Sequence, residues 1–283
     1  MDFSLIVPNN VDYLANLPEQ VMSAMSFSPD HIMNYVALLL CMTFGYLLYT
    51  VAGEIRKREN IDPYPVYLHC WMITFDTLSA ISSWCLLYQY HTPEQLAGGA
   101  WVFLLFSLGL PVWVFMEAKS IIHTIKDEKQ RALNFRHLVP AGQKPTEKQA
   151  RFWCLGMVGV CAALNLFIMS LLGGFGNFFW IFMVPFSNYV FAIWTWRFWA
   201  TRAAETGTRM YQSMKLHIVI TVQITLMWVP GVSWYVALSP AFHSIWFYLC
   251  GAVMTGVAVY NMYKCSQLPK RDETLPNGKK PVW

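Results

Sequence analysis

The chain has 283 residues, of which 56% are hydrophobic and only 13% are charged, with a formal net charge of +4. Apolar residues come in blocks of roughly 20, the length that crosses the hydrocarbon core of a bilayer. This composition predicts an all-α polytopic membrane protein and leaves no room for a separate soluble domain of ordinary size. Basic loops beside anionic lipid account for the net charge, so no nucleic-acid partner is predicted.

Several classes of chemistry have no sign in the sequence. The seven cysteines lie in or beside apolar segments and form no CxxC pair, which is typical of small core residues. The chain contains no P-loop, GxGxxG turn, HExxH helix or clustered Cys and His ligands. We therefore predict neither a cofactor nor a metal site.

The first segment, residues 1–30, contains acids but no Lys or Arg, so it lacks the basic region of a cleaved signal peptide. We expect it on the lumenal or extracellular side, folded over the outer mouth of the protein. Within it, LPEQVMSAMSF has the pattern of a short amphipathic helix on a membrane surface.

Hydropathy predicts seven transmembrane helices in a domain of residues 31–265, followed by a tail of residues 266–283. The predicted spans are 32–52, 66–89, 101–123, 153–173, 178–200, 216–238 and 243–264. All 20 Lys and Arg residues lie in or beside alternate loops or the tail, while residues 1–53 carry none. By the positive-inside rule the N-terminus faces outside and the tail faces the cytosol.

The second predicted span carries an acid, Asp76, near its middle. An ionisable side chain at the bilayer centre costs at least about 2.5–3.5 kcal/mol on insertion scales, so it usually faces a protein interior and has a function. Residues seven apart share a helix face, which places His69 and Ser83 on the same stripe as Asp76. Thr74 and Thr77 lie close beside this stripe. A structural anchor between helices is the alternative for Asp76.

The third predicted span carries the second intramembrane acid, Glu117, and an internal proline, Pro111, that favours a kink. Because the second and third spans run antiparallel, Asp76 and Glu117 differ in depth by only about 6 Å at 1.5 Å per residue. The two acids are therefore candidates for one cavity. Alternatively, Glu117 is an interfacial residue paired with Lys119 or with a base in a loop.

The second half of the chain offers further polar candidates. Residues 124–152 form a mixed-charge stretch that we interpret as a solvated cytosolic linker. The sixth span resembles the second, because LHIVITVQIT compares with LHCWMITFDT after a one-residue slip. Taken at face value this repeat favours a three-plus-one-plus-three arrangement in which Gln223 corresponds to Asp76. Pro230 and Gly231 are expected to break the sixth span in its outer half.

The run GYLLYTVAGEIRKRENIDPYPVYLHCWMITFDT resembles the start of the small integral-membrane terpene cyclases of fungal meroterpenoid and indole-diterpene pathways. Cys70 aligns with a cysteine of that family, Phe75 with its tryptophan and Asp76 with its catalytic glutamate, while Pro65 falls near its proline. The remainder of the chain agrees only in the number of spans. The family has a second functional Asp in the seventh span, where the nearest polar residue here is Asn261.

The resemblance implies a membrane-bound terpene cyclase that protonates an epoxide or alkene of a farnesyl- or geranylgeranyl-type precursor to start cationic ring closure. Asp76 would be the general acid, with Glu117 assisting. The candidate substrate-binding residues are polar or aromatic side chains within the spans: His69, Thr74, Thr77, Ser83, Asn188, Gln223, Trp228 and Asn261. The chemistry needs an acid that stays protonated at neutral pH and aromatic faces that stabilise cations.

The expected partners are a hydrophobic prenylated substrate and membrane lipid, with a prenyltransferase and an epoxidising monooxygenase as functional neighbours. The expected location is the endoplasmic reticulum if the host is a eukaryote. Two other classes remain open. One is a seven-helix transporter of small molecules with Asp76 and Gln223 lining a central site, and the other is a receptor or assembly protein without chemistry.

Overall fold

In a computed structural model the chain is described over residues 11–269, 274–275 and 277–282. Residues 1–10 of the predicted N-terminal segment and residues 270–273, 276 and 283 of the predicted tail lie outside the described residues. The described part is helical and contains no strand. Six of its helical segments are long and apolar enough to cross a membrane: Pro29–Glu59, Val66–Gln89, Pro93–Lys126, Glu147–Leu171, Phe179–Thr206 and Ile245–Gln267. The fold is therefore that of a multi-pass membrane protein.

The α-helices, in chain order, are α1 (Val11–Ala15), α2 (Leu17–Ala24), α3 (Ile32–Glu59), α4 (Val66–Gln89), α5 (Pro93–Gln95), α6 (Trp101–Lys126), α7 (Glu128–Asn134), α8 (Glu147–Leu171), α9 (Phe179–Thr206), α10 (Met214–Leu226), α11 (Trp234–Leu238) and α12 (Ile245–Gln267). The predicted second span coincides with α4. Several other helices run past their predicted spans at the basic end, because a helix continues beyond its apolar part where charged side chains reach water.

The stretch predicted as a linker, residues 124–152, is only partly irregular. Helix α6 extends to Lys126, α7 occupies Glu128–Asn134, and α8 begins at Glu147 behind a capping box formed by Thr146 and Gln149. Phe135 is fully buried in this stretch, so part of it packs on the bundle. The prediction of a solvated linker was wrong because the buried side chain of Phe135 and the first residues of α7 and α8 lie among its charged residues.

The predicted sixth span, 216–238, is divided in two. Helix α10 ends at Leu226, a turn covers residues 227–233, and the short α11 follows. Proline cannot continue the hydrogen-bond ladder, and Gly231 has a positive φ of 82° in this turn. The interruption therefore lies in the expected half of the span, and α10 alone has only 13 residues.

Helix α4 is the centre of the bundle, packing against α6, α8 and α9, while α10 packs against α3, α9 and α12. The turn between α3 and α4 folds inward, and all six residues from Ile61 to Val66 are buried. Helix α3 ends at Glu59 and is capped by Asn60, whose left-handed backbone (φ 55°) reverses the chain. This turn places Asp62 and Tyr64 inside the protein.

The helix predicted in the N-terminal segment is present as α2, and its apolar side packs on protein. Leu17, Val21 and Met25 are fully buried, and the Trp101 indole nitrogen donates to the Met25 carbonyl at 2.8 Å. Gly99 has a φ of 113°, and a Cβ there would lie 1.9 Å from the Met22 carbonyl oxygen. Only glycine allows this close approach, so α2 closes the end of the bundle at which α6 begins.

Candidate functional site

A cavity lies in the middle of the bundle, between α3, α4, α6, α9 and α10. The empty volume between its lining atoms is about 590 Å³, and the open part of this volume holds only a few water molecules. The side chains around it are mostly apolar and aromatic: Cys41, Leu48, Tyr49, Tyr64, Leu68, His69, Met72, Phe75, Asp76, Trp113, Glu117, Trp180, Val184, Asn188, Phe191 and Gln223, together with Gly45. The cavity has room for water molecules.

Asp76 contributes a carboxyl group to the wall of this cavity. Its side chain is completely buried, and neither carboxyl oxygen has a hydrogen-bond partner among the described residues. Helix α4 holds it there because Phe75 and Ser79, its neighbours on the same buried side, are also inside the bundle. An ionised carboxylate in such a place, without a partner, is strongly disfavoured, so the neutral form is favoured.

Three further polar atoms on the cavity wall are buried without a partner in the described part of the chain. They are the indole nitrogens of Trp113 and Trp180 and the amide oxygen of Gln223. Buried polar atoms are usually satisfied, so a cluster of orphans around one cavity indicates that the cavity receives a polar group or water. Two N–H donors, one amide acceptor and one carboxyl group without partners therefore belong to residues that line the same cavity.

A second acid, Glu117, lies on the same cavity wall in a different setting. One of its oxygens accepts from the Tyr49 hydroxyl at 2.5 Å, and the other forms a short contact with His69 Nδ1. The other ring nitrogen of His69 lies 3.2 Å from Asp62 Oδ1. All three ionisable groups are 2% exposed. The alternative of an interfacial Glu117 paired with Lys119 or with a base in a loop was wrong, because Glu117 is buried and its two oxygens contact Tyr49 and His69.

Asp62 extends this hydrogen-bond network from His69 to the turn between α3 and α4. Its Oδ2 lies 3.3 Å from Arg56 Nη1, which also contacts Ser120 Oγ at 2.5 Å, and its Oδ1 accepts from the Tyr64 backbone N–H at 3.1 Å. Burial alone raises the pKa of the Asp62 carboxyl, but the positive charge of His69 and the Arg56 guanidinium outweigh burial and hold that pKa below its usual value. Asp62 is therefore an ionised, paired acid in the turn between α3 and α4.

Five of the residues predicted from the sequence meet at the cavity: His69, Asp76, Glu117, Asn188 and Gln223. They come from α4, α6, α9 and α10, so the spans that carry them converge. The Asn188 amide nitrogen also donates to the Val184 carbonyl at 2.9 Å, which holds its side chain against its own helix.

The other five predicted residues lie away from this cavity. Thr77 is exposed and donates to the Ile73 carbonyl, and Ser83 is buried and donates to the Ser79 carbonyl. Thr74 accepts a hydrogen bond from Asn165 at 3.0 Å and so links α4 to α8.

The remaining two belong to the second half of the chain. The Trp228 indole nitrogen donates to Thr255 at 2.9 Å. Asn261 lines a separate groove with Trp199 and Lys264. The structure does not bring either of these residues to the cavity that Asp76 lines.

The sequence interpretation missed Asp62, Tyr49, Trp113 and Trp180 as members of the site. Asp62 lies in a basic, proline-containing turn that has the pattern of an exposed loop. The one available signal was its apolar neighbours Ile61 and Tyr64, which are unusual in a solvated turn. The tyrosine and tryptophans were hidden by the abundance of aromatic residues in every span.

The arrangement combines one unpaired acid with one network of charged, hydrogen-bonded groups around the same small cavity. The described residues contain no group of three or more His, Cys, Asp or Glu side chains placed to hold a metal ion. His69 lies between its two carboxylates instead of converging with them on a common point. Acid–base chemistry is therefore the chemistry that these side chains can perform.

No family model, curated protein or solved structure matches this chain. The resemblance of the first two spans to membrane terpene cyclases consequently stays a prediction. What can be inferred about function depends on the cavity, on the acid in its wall and on the groups that surround them.

Proposed function

We propose that the protein is a membrane-bound terpene cyclase in which Asp76 protonates a prenylated precursor and so starts cationic ring closure in secondary-metabolite biosynthesis. The observation that carries this proposal is the Asp76 carboxyl group, fully buried and without a partner, on the wall of an aromatic cavity. A carboxylic acid that stays neutral in a water-poor site can donate its proton at neutral pH.

The aromatic wall supports the same chemistry. Phe75, Trp113, Trp180 and Phe191 line the cavity, and aromatic faces stabilise a nearby cation by about 0.5–2 kcal/mol each. Carbocations formed during ring closure would lie against these faces, while the scarcity of water protects them from premature capture.

An epoxide fits the polar atoms of the cavity better than an alkene. The proton of Asp76 passes to the epoxide oxygen, the C–O bond breaks to leave a hydroxyl group, and the π electrons of the chain form the new C–C bond. The final cation then loses a proton from carbon to a base. The unpartnered N–H groups of Trp113 and Trp180 are donors that an oxygen atom can accept from, and a hydrocarbon cannot.

A prenylated substrate is larger than the space now open in the cavity, so binding requires lining side chains to move outward. Met72 is a candidate for this movement because its unbranched side chain is flexible. The substrate is a hydrophobic, membrane-soluble molecule, and it would reach the site from the lipid phase. A prenyltransferase and an epoxidising monooxygenase would supply it and are expected among neighbouring genes.

The proposal includes a topology of seven spans, with α10 and α11 together forming the sixth, and with the N-terminus outside and the tail in the cytosol. The distribution of Lys and Arg supports this orientation. It places the turn that carries Asp62 on the cytosolic side. In a eukaryotic host the membrane would be that of the endoplasmic reticulum.

The test is to express Asp76→Asn in a host fed with the prenylated precursor, in its epoxide and alkene forms. Loss of the acid should lower cyclisation by about 10²–10⁴-fold, the usual contribution of a general acid. Glu94→Gln, a matched change at an exposed acid outside the cavity, should keep full activity. Undiminished cyclisation by Asp76→Asn would end the proposal.

A transporter of small polar molecules is the second candidate, and one observation favours it. The Asp76 and Gln223 side chains, predicted to correspond in a repeat, line one cavity and both carry oxygens without a partner in the described structure. Solute counterflow in vesicles that contain the purified protein would support this function. Cyclisation of the epoxide precursor by the same preparation, without counterflow, would exclude it.

A further inference from the structure

A continuous line of buried polar groups leads from the turn between α3 and α4 to the central cavity. We infer that Asp62, His69 and Glu117 form a proton path that connects the cytosolic end of the bundle with the cavity and renews the proton on Asp76. The inference rests on the proposed role of Asp76 as an acid, and it adds a route by which that acid is restored.

The geometry around His69 requires a shared proton. Both ring nitrogens contact a carboxylate oxygen, Nδ1 that of Glu117 and Nε2 that of Asp62. A neutral imidazole has one N–H group, so it can donate to only one of the two carboxylates. Both contacts are satisfied when one extra proton resides on the imidazole or on either acid. Asp62, His69 and Glu117 therefore share one extra proton, which can be bound to any one of the three side chains.

The charges of this cluster balance only when that proton is present. Asp62 and Glu117 supply two negative charges, while Arg56 and a protonated His69 supply two positive charges. Buried charges are tolerated when they are paired. Loss of a proton at one end therefore favours uptake of a proton at the other end, which is the behaviour of a relay.

One end of this line of polar groups lies near the protein surface, and the other end lies at the cavity. At one end, Asp62 contacts the Arg56 guanidinium, whose side chain is 18% exposed and brings the network to the surface. At the other end, Glu117 and its hydrogen-bonded partner Tyr49 are part of the cavity wall that also contains Asp76. Water within the cavity can bridge the remaining gap, since the space is large enough for it.

The proposed reaction needs such a route. Ring closure transfers the Asp76 proton to the epoxide oxygen and releases another proton from carbon when the last cation is quenched. The reaction is an isomerisation, so no proton is consumed overall, but Asp76 is left ionised after each turnover. A proton that reaches Asp76 through Glu117 restores the neutral acid, and the proton lost from carbon can leave by the same path.

The test follows proton exchange at Asp76 without any substrate. Purified protein in lipid nanodiscs is mixed with D₂O, and the C=O stretch of the protonated carboxyl is followed by infrared spectroscopy. The Asp76 band is identified by its loss in Asp76→Asn. We expect His69→Phe and Asp62→Asn to slow exchange of this band by about 100-fold, within the range that a positioned proton-transfer group contributes.

A matched control is His217→Phe, because His217 is equally buried but bonds to Gln212 and does not line the cavity. It should leave the exchange rate unchanged. Asp62→Asn preserves the shape of its side chain, so a folded variant is available even if His69→Phe destabilises the protein.

Exchange in both path variants that is as fast as in the wild-type protein would overturn the inference. The absence of an Asp76 band would also overturn it, since no proton would then need renewal. Slowing by His69→Phe alone would overturn the role of Asp62. None of these measurements needs cyclisation. Unchanged exchange rates would end the proton path alone, whereas a missing Asp76 band would also remove the neutral acid that the enzymatic proposal requires.

Discussion

Two acids line one cavity in this protein, and they differ in whether they have hydrogen-bond partners. Asp76, on α4, has no hydrogen-bond partner among the described residues. Glu117, on α6, is held by Tyr49 and His69, and through His69 it is linked to Asp62. Burial is almost the same for both acids, so exposure does not distinguish them.

The difference shows how partners, and not depth, determine what a buried acid can do. A paired acid keeps its charge because the neighbouring cation offsets the cost of burial. An unpaired acid avoids that cost by remaining neutral, which also leaves it free to give up a proton to a ligand. The contrast predicts that Glu117 raises the free energy of unfolding. It also predicts that Asp76 lowers the free energy of unfolding and is present for its proposed function.

The largest effect on stability is expected for Glu117→Leu. Removing Glu117 takes away one of the two carboxylates beside His69 and leaves His69 Nδ1 and the Tyr49 hydroxyl without their buried partner. Breaking a buried pair in this way typically costs about 3–5 kcal/mol of unfolding free energy. Thermal and denaturant unfolding in detergent, followed by tryptophan fluorescence, would measure the loss. Glu54→Leu is the control, because Glu54 pairs with Lys215 at 3.0 Å on the surface and should matter by less than about 1 kcal/mol. Equal losses in the two variants would contradict the expectation that the buried partners of Glu117 stabilise the fold more than a surface ion pair does.

The next effect concerns pH. Because the pKa of Asp62 is lower in the folded protein than its unfolded value near 3.9, its contribution to stability is complete above about pH 5. That contribution is lost as the pH falls through the folded pKa. Asp62→Asn should therefore lower stability by about 2 kcal/mol at pH 7 and flatten the loss on acidification. A wild-type curve that is flat between neutral and acidic pH would contradict the pairing of Asp62.

The smallest effect is expected for Asp76→Leu. Replacing an unsatisfied buried polar group by an apolar one is neutral or stabilises a fold, here by about 1 kcal/mol. Ser187→Ala is the contrasting change, because Ser187 accepts from the Trp71 indole at 3.1 Å and its loss leaves that donor unpaired. The same unfolding assay should rank Asp76→Leu above wild type and Ser187→Ala below it. A clear loss of stability in Asp76→Leu would mean that this acid has a structural partner after all.

Much of the helical framework was predictable, because the length of an apolar block is a local property of the chain. The second span coincides with Val66–Gln89, and the first and third begin at the predicted residues 32 and 101. The ends that failed are those at which a helix continues among charged residues, as α8 does from Glu147. Hydropathy detects the apolar segment of a transmembrane helix. It does not detect the charged turns by which the same helix continues into water.

The candidate site was predictable only in part. Asp76 and Glu117 stood out because ionisable groups are rare within spans, and that rarity is visible in any linear chain. The partners of Glu117 were not visible, since Tyr49 lies 68 residues before it and His69 lies 48 residues before it. Asp62 was hidden for a different reason, because it lies in a basic turn with two prolines and only its apolar neighbours Ile61 and Tyr64 indicate that the turn folds inward.

The sequence alone thus determined that this chain crosses a membrane several times and carries two acids at the depth of the lipid, because both features depend on the residue type and its position along a helix. Only the tertiary structure decided that one acid is paired and the other is alone. Pairing depends on which helices become neighbours and on how a turn is directed. Those choices follow from the packing of the whole bundle, in which α4 is surrounded on several sides and the turn at Asp62 is drawn into the interior.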